Sequence, residues 1–202
     1  MFSVKHACER VGLEATITSS IPEIIQADAV ILPGVGAFGD AMEQLKALDL
    51  ISPLKDLVGS SKPFIGICLG YQLLLSESEE FGSHKGLGIV KGSVKRFDQP
   101  REGDHILSVP HVGWNQIWKD TTTSWEGSPL RGTTPGDYVY FCHSYYVQPE
   151  DQSVALTRTH YGHYDFISSL RCQNVFGFQF HPEKSGPVGL EMYQNIAKLI
   201  GA

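Results

Sequence analysis

Hydrophobic positions in the first half of the chain switch between two periods. Val4, Ala7, Cys8 and Val11 recur at helical spacing and stop at Gly12, so they predict an N-terminal amphipathic helix. Residues 14–18 then alternate as a half-buried strand does. Ile24 and Ile25 predict a short helix, followed by the apolar run 29–32, a buried strand that ends at Pro33-Gly34. Ala41, Met42, Leu45 and Leu48 mark another helix, and residues 63–67 the next strand. Alternating elements of this kind predict a parallel sheet covered by helices on both faces, with ligands gathered at the carboxyl ends of its strands.

The second half is patterned differently. Strand-like runs at 89–97, 138–143, 154–159, 166–170 and 175–180 are separated by polar, glycine-containing turns, and predict antiparallel strands added to the same core. Leu190, Tyr193, Ala197 and Ile200 share one face of a closing helix. Residues 120–136, rich in Thr, Ser, Gly and Pro, predict a surface connection. The expected fold class is therefore α/β: a mostly parallel central sheet flanked by helices, with added antiparallel strands. With no linker or repeat in view, residues 1–202 are expected to form one domain.

Bulk properties narrow the function. The formal net charge of −6 argues against a nucleic-acid or anionic-membrane surface, which needs a basic patch. No apolar run has the length of a membrane span, and the N-terminus shows no signal-peptide core. Four cysteines without framework spacing point to free thiols in a reducing compartment, the cytoplasm. His160, His163 and Asp165 match no common metal spacing, and Gly86-Leu-Gly88 lacks the strand–turn–helix setting of a nucleotide loop. Neither a metal nor a cofactor is expected.

The chemistry is concentrated in two segments. Cys68 sits in Pro63-Phe-Ile-Gly-Ile-Cys68-Leu-Gly-Tyr-Gln72, a buried strand that breaks between glycines and turns into a helix. Flanking glycines permit a tight corner that lifts a nucleophile clear of the sheet. A thiol at that corner also feels the positive end of the helix, which favours the thiolate. Far downstream, Phe178-Gln-Phe-His181-Pro-Glu183 supplies a base and, two residues on, an acid to orient it. Cys8, Cys142 and Cys172 have no such setting and read as small buried apolar residues.

Gly66-Ile-Cys-Leu-Gly-Tyr-Gln72, the following Ser78-Glu-Glu80 and His181-Pro-Glu-Lys-Ser185 resemble the signatures of the triad-type (class I) glutamine amidotransferases. Within that family, Pro33-Gly-Val-Gly-Ala-Phe38, Pro110-His-Val-Gly-Trp-Asn115 and Tyr140-Phe-Cys-His-Ser-Tyr145 resemble the branch of glutaminase subunits that serve imidazole glycerol phosphate synthase in histidine biosynthesis. The resemblance implies hydrolysis of L-glutamine by Cys68, His181 and Glu183. It also implies an oxyanion hole from the backbone N–H groups of Val35 and Leu69, with the Val35 peptide turned into place only when a cyclase-type synthase subunit binds as heterodimer partner. Gly36, Gln72, Glu80, Ser144 and Tyr145 correspond to the glutamine-binding set. Tyr140, Lys184 and Trp114 correspond to the face through which ammonia passes to the partner.

Three other readings stay open at this point. Relatives of the branch serve synthases that amidate sugars for surface polysaccharides, and Tyr71 departs mildly from the histidine-pathway pattern. A cysteine peptidase of related sheet type usually carries His directly after the nucleophile, where this chain has Leu69. A non-catalytic scaffold is the third. Family members also begin with a strand and an Asp-Tyr-Gly-x-Gly-Asn turn ahead of the helix that here opens at Phe2, so an N-terminally shortened domain is expected. A chain extended upstream by that strand is expected to melt at higher temperature and bind the synthase more tightly; equal melting and equal affinity would remove the expectation.

Overall fold

The computed structural model describes residues 1–121 and 123–201. Its first half carries α1 (Phe2–Arg10), α2 (Ile21–Gln26), β1 (Val30–Gly34), α3 (Phe38–Ala47), α4 (Ile51–Asp56), β2 (Phe64–Cys68) and α5 (Leu69–Leu73). Then come β3 (Leu75–Ser78), β4 (His84–Lys85), β5 (Val90–Arg96), β6 (Arg101–Glu102), β7 (His105–Ile106), β8 (His111–Gln116) and β9 (Trp118–Lys119). The remainder is β10 (Tyr138–His143), β11 (Tyr145–Pro149), β12 (Ala155–Tyr161), β13 (Tyr164–Cys172), β14 (Val175–Phe178) and α6 (Gly186–Leu199).

A six-stranded sheet runs in the order β1-β2-β14-β13-β12-β9. It is parallel through β1, β2 and β14 and antiparallel beyond. Both faces are covered, as the unbroken burial of Phe64–Cys68 requires. Phe64 and Val175 belong to one apolar cluster, with Tyr71, Leu74 and Leu170. Ile65, Ile67, Phe176 and Phe178 belong to the other, with Phe141, Tyr193 and Ile196. The strand period of two sends alternate residues to opposite sides.

Three expectations change. Residues 14–18 form no strand: Leu13 and Ala15 pack against the core, yet the segment pairs with no described strand. Alternation sets which side chains face inward, but a strand also needs a neighbour to complete its ladder. The run 89–97 becomes β5, which lies not in the main sheet but in a second one, ordered β11-β5-β3-β4. Within the connection 120–136, of which Thr122 lies outside the described residues, Trp125 and Leu130 are buried, and Trp125 Nε1 donates to the Leu156 carbonyl at 2.9 Å. Burying an indole outweighs the polar composition around it.

The corner between β2 and α5 has no loop. Cys68 is the last residue of the strand and the N-cap of the helix, at φ 53° and ψ −110°. A β-carbon on Gly66 would sit 2.8 Å from the Gly70 carbonyl oxygen, and one on Gly70 would overlap the Leu32 carbonyl. Both positions therefore require glycine for close approach of backbones, whatever the chemistry of Cys68. We expect Gly70→Ala to lower stability by about 3 kcal/mol, the scale of an overpacked core. Denaturant melting checks this, and an unchanged midpoint would contradict the account of the corner.

Candidate active site

The register Gly34↔Cys68 sets the end of β1 beside the end of β2, so Val35 and Cys68 leave the sheet together at its carboxyl edge. Cys68 is largely buried, 8% exposed, and its Sγ lies 3.8 Å from the carbonyl oxygen of Cys142. That carbonyl belongs to β10, which pairs with β8 in a separate antiparallel ribbon. The same ribbon holds the base. The His181 backbone N–H donates to the Tyr140 carbonyl at 2.8 Å, and the Tyr140 N–H donates to Ser185 Oγ at 3.0 Å. Ser185 Oγ in turn donates to the His181 carbonyl at 2.7 Å. A short helical turn over Pro182–Lys184 then folds Glu183 back onto the ring it follows.

His181 Nδ1 is 2.8 Å from Glu183 Oε1, with both side chains almost fully buried. This commits Nδ1 to the acid and leaves Nε2 for the thiol. Burial disfavours the charged ring, but hydrogen bonds and charges from Cys68 and Glu183 outweigh it and push His181 up to about 9. The pairing thus favours the imidazolium. Because α5 has only five residues, His181 rather than a helix dipole is the main positive partner for the thiol. The structure thus brings Cys68, His181 and Glu183 together in one hydrogen-bonded chain.

Around the thiol the other expected residues connect in sequence. Leu69, buried, opens α5 directly after Cys68. Val35 is 85% exposed, and Gly36 follows at φ 103° with open space where a side chain would go. Gln72, one turn into α5, donates from Nε2 to the Tyr145 carbonyl at 3.0 Å and to Gln179 Oε1 at 3.1 Å. Burial and the nearby Glu80 charge push the Tyr145 hydroxyl up. Glu80 accepts a 2.6 Å hydrogen bond from the Phe38 N–H at the start of α3, two residues past Gly36. A carboxylate at a helix N-terminus meets the positive end of the helix. Ser144 is half-buried, and its carbonyl accepts from the Phe97 N–H at 3.0 Å.

The ribbon β8–β10 has two faces. Val112, Trp114 and Tyr138 stand outward and exposed, with Trp114 at 55%. Trp114 meets Tyr140 edge-on at 6.1 Å, and Lys184 Nζ lies 5.6 Å from the centroid of the Tyr140 ring. Tyr140 also lies 6.4 Å from the His181 ring, so it stands between Trp114 and Lys184 on one side and the imidazole on the other. The inner face carries His111 and His143, both buried and not singled out by sequence reasoning. Only their places inside the Pro110–Asn115 and Tyr140–Tyr145 motifs signalled them.

Some expectations fail here. Cys142 is exposed rather than buried, because β10 turns its side chain to the outer face while its carbonyl faces Cys68. Cys172 is only half-buried; Cys8 is buried, and burial pushes its thiol up to about 11. Asp165 bonds to Arg158 Nη1 at 3.1 Å, and His163 Nδ1 accepts from the Arg101 N–H. Tyr71 is fully buried, its hydroxyl on the Ile167 carbonyl, so its departure from the branch pattern is a matter of core packing.

A family model described as glutamine amidotransferase class-I matches residues 2–199. The chain is 47% identical over 197 residues to an imidazole glycerol phosphate synthase subunit HisH of Aquifex aeolicus, covering 97% of this chain and 90% of the relative. It is 45% identical over 196 residues to the HisH subunit of Rhodopirellula baltica, covering 96% and 90%. Among solved structures, a glutamine amidotransferase crystal structure superposes with TM-score 0.72 at 18% identity, over 100% of this chain and 94% of the other. The glutaminase domain of Trypanosoma brucei CTPS with bound acivicin superposes with TM-score 0.61 at 18% identity, over 98% and 88%.

The raised value at His181 fixes a sign. The proton it binds stabilises the fold fully below the ordinary histidine value of 6.5, and that contribution is lost as pH rises through about 9. Nitrogen NMR should show His181 titrating near 9, and Glu183→Gln should move the midpoint down. A titration at the ordinary value in both proteins would rule out the pairing.

Proposed function

The chain belongs to the class-I glutamine amidotransferase family, and from that premise we propose that it is the glutaminase subunit of an imidazole glycerol phosphate synthase. It hydrolyses L-glutamine and delivers ammonia to a synthase subunit that uses it in histidine biosynthesis, acting in the cytoplasm. The observation that carries this reading is Cys68, held at φ 53° on a loopless strand-to-helix corner against His181 and Glu183.

The Cys68 thiolate attacks the side-chain amide carbon of glutamine, and the carbonyl electron pair moves onto oxygen. Backbone N–H groups of Val35 and Leu69 receive that oxyanion, each contributing about 3 kcal/mol in the transition state. Collapse of the tetrahedral centre breaks the carbon–nitrogen bond. His181 supplies the proton that lets ammonia leave, and a γ-glutamyl thioester remains. His181 then takes a proton from water, which attacks the thioester; collapse of that centre releases glutamate and restores the thiolate beside the imidazolium. Glu183 holds the ring in the orientation both transfers need.

Glutamine lies against Gly36, Gln72, Glu80, Ser144 and Tyr145. Glu80 pairs with the α-ammonium while keeping its helix-start contact, since a carboxylate accepts several donors. The outward face of Trp114, Tyr140 and Lys184 meets the synthase subunit, an apolar and aromatic surface of the kind that anchors interfaces. The Val35 peptide lies between glycines and is free to reorient, so partner binding completes the oxyanion hole and activates the subunit.

With the synthase subunit present, the protein should release glutamate from glutamine, and Cys68→Ala should lower that rate by about four orders of magnitude or more. The same variant should still support the synthase reaction when free ammonia is supplied. Glutamate release that survives Cys68→Ala would refute the proposal.

A further inference from the structure

Two histidines that the reaction does not use lie buried behind the glutamine-binding wall. His143 Nδ1 is 2.8 Å from the Tyr145 carbonyl oxygen, and His143 Nε2 is 3.0 Å from His111 Nδ1. Asn115 Nδ2 is 3.3 Å from His111 Nε2. Each link has one possible direction. A carbonyl only accepts, so His143 carries its proton on Nδ1. Its Nε2 is then the acceptor, and His111 must donate from Nδ1. His111 Nε2 accepts in turn, from an Asn115 amide nitrogen that also donates to the His160 carbonyl at 2.8 Å. The Asn115 orientation is fixed from its other end too, because Oδ1 accepts from the Gln116 N–H at 2.7 Å.

Both rings are held neutral. Burial pushes His143 down to about 3 and His111 down to about 4. A further proton on His143 would set two donors face to face in the 3.0 Å contact, and one on His111 would do the same against Asn115 Nδ2 at 3.3 Å. The chain ends on the Tyr145 carbonyl, which also receives Gln72 Nε2 from α5. It begins on β8, whose opposite face exposes Trp114.

An aromatic pocket does not need imidazoles for packing. His111 stacks on Phe141 and Tyr161, and His143 lies 5.4 Å from Phe97, surroundings that a phenyl ring would suit at no desolvation cost. What the imidazoles add is direction. We propose that His111 and His143 are positioning residues whose one-way hydrogen-bond chain, from Asn115 on the partner-facing ribbon to the Tyr145 carbonyl, holds the His143–Ser144–Tyr145 turn in register with Gln72 for glutamine binding. The proposal rests on the glutaminase reading. It concerns affinity for glutamine and not the chemical step, because neither ring touches the thiol.

The test uses the complex with the synthase subunit. His143→Phe should raise KM for glutamine about ten-fold, the scale of one lost buried hydrogen bond. Its kcat and the rate at which iodoacetamide alkylates Cys68 should stay near wild type. His143→Asn keeps a donor close to the Nδ1 position and should restore most of the affinity. Nitrogen NMR of the wild-type protein should show both rings as the neutral Nδ1–H tautomer. An unchanged KM in folded His143→Phe, a loss carried by kcat and alkylation together, or an Nε2–H tautomer on either ring overturns the proposal. If His143→Phe does not fold, the KM of His143→Asn and the tautomer spectrum decide. If the wild-type complex makes no glutamate, the glutaminase reading fails, and the spectrum still accepts or rejects the chain of bonds by itself.

Discussion

The close approach of Gly70 to the Leu32 carbonyl is the constraint on which the rest of this structure depends. It lets α5 begin directly where β2 ends, with no loop to soften the turn, and so puts Cys68 into a backbone conformation that L-residues seldom adopt. Such strain persists only where the surroundings over-determine it. Here they do, because β2 is buried along its whole length and flanked by β1 and β14. A rigid core holds the Cys68 thiol at the carboxyl edge of the parallel strands.

The second organising element is the β8–β10 ribbon, which contacts Cys68, His181 and Tyr145 without belonging to the main sheet. Its backbone receives the His181 N–H and faces the Cys68 sulfur; its outer side carries Trp114 and Tyr140; its inner side carries His111 and His143. One pair of strands therefore links the exposed face of Trp114, the His181 ring and the buried His111–His143 pair. A displacement of the ribbon would be felt at all three.

Much of this was legible in the chain. Helical and strand periods located α1, α3, β1, β2 and β10 closely, because burial on one face imposes the period directly. Gly66, Cys68 and Gly70 announced the corner through local sterics, and His181 with Glu183 announced the base through a spacing of two. Residues 14–18 misled, since alternation says which face is buried but not whether a partner strand exists. Trp125 misled in the opposite sense, its single large ring outweighing a polar neighbourhood.

The sequence alone determined the local geometry, from the glycine-framed nucleophile to the acid that folds back on its histidine, because those interactions lie within a few residues of one another. Only the tertiary structure decided that Cys142 offers its carbonyl to Cys68 and exposes its thiol, that Glu80 caps α3, and that His111 and His143 join Asn115 to Tyr145. The contacts of Cys142 with Cys68, Glu80 with Phe38 and His111 with His143 join residues far apart in the chain. Their existence depends on strand order and register, which no local period encodes.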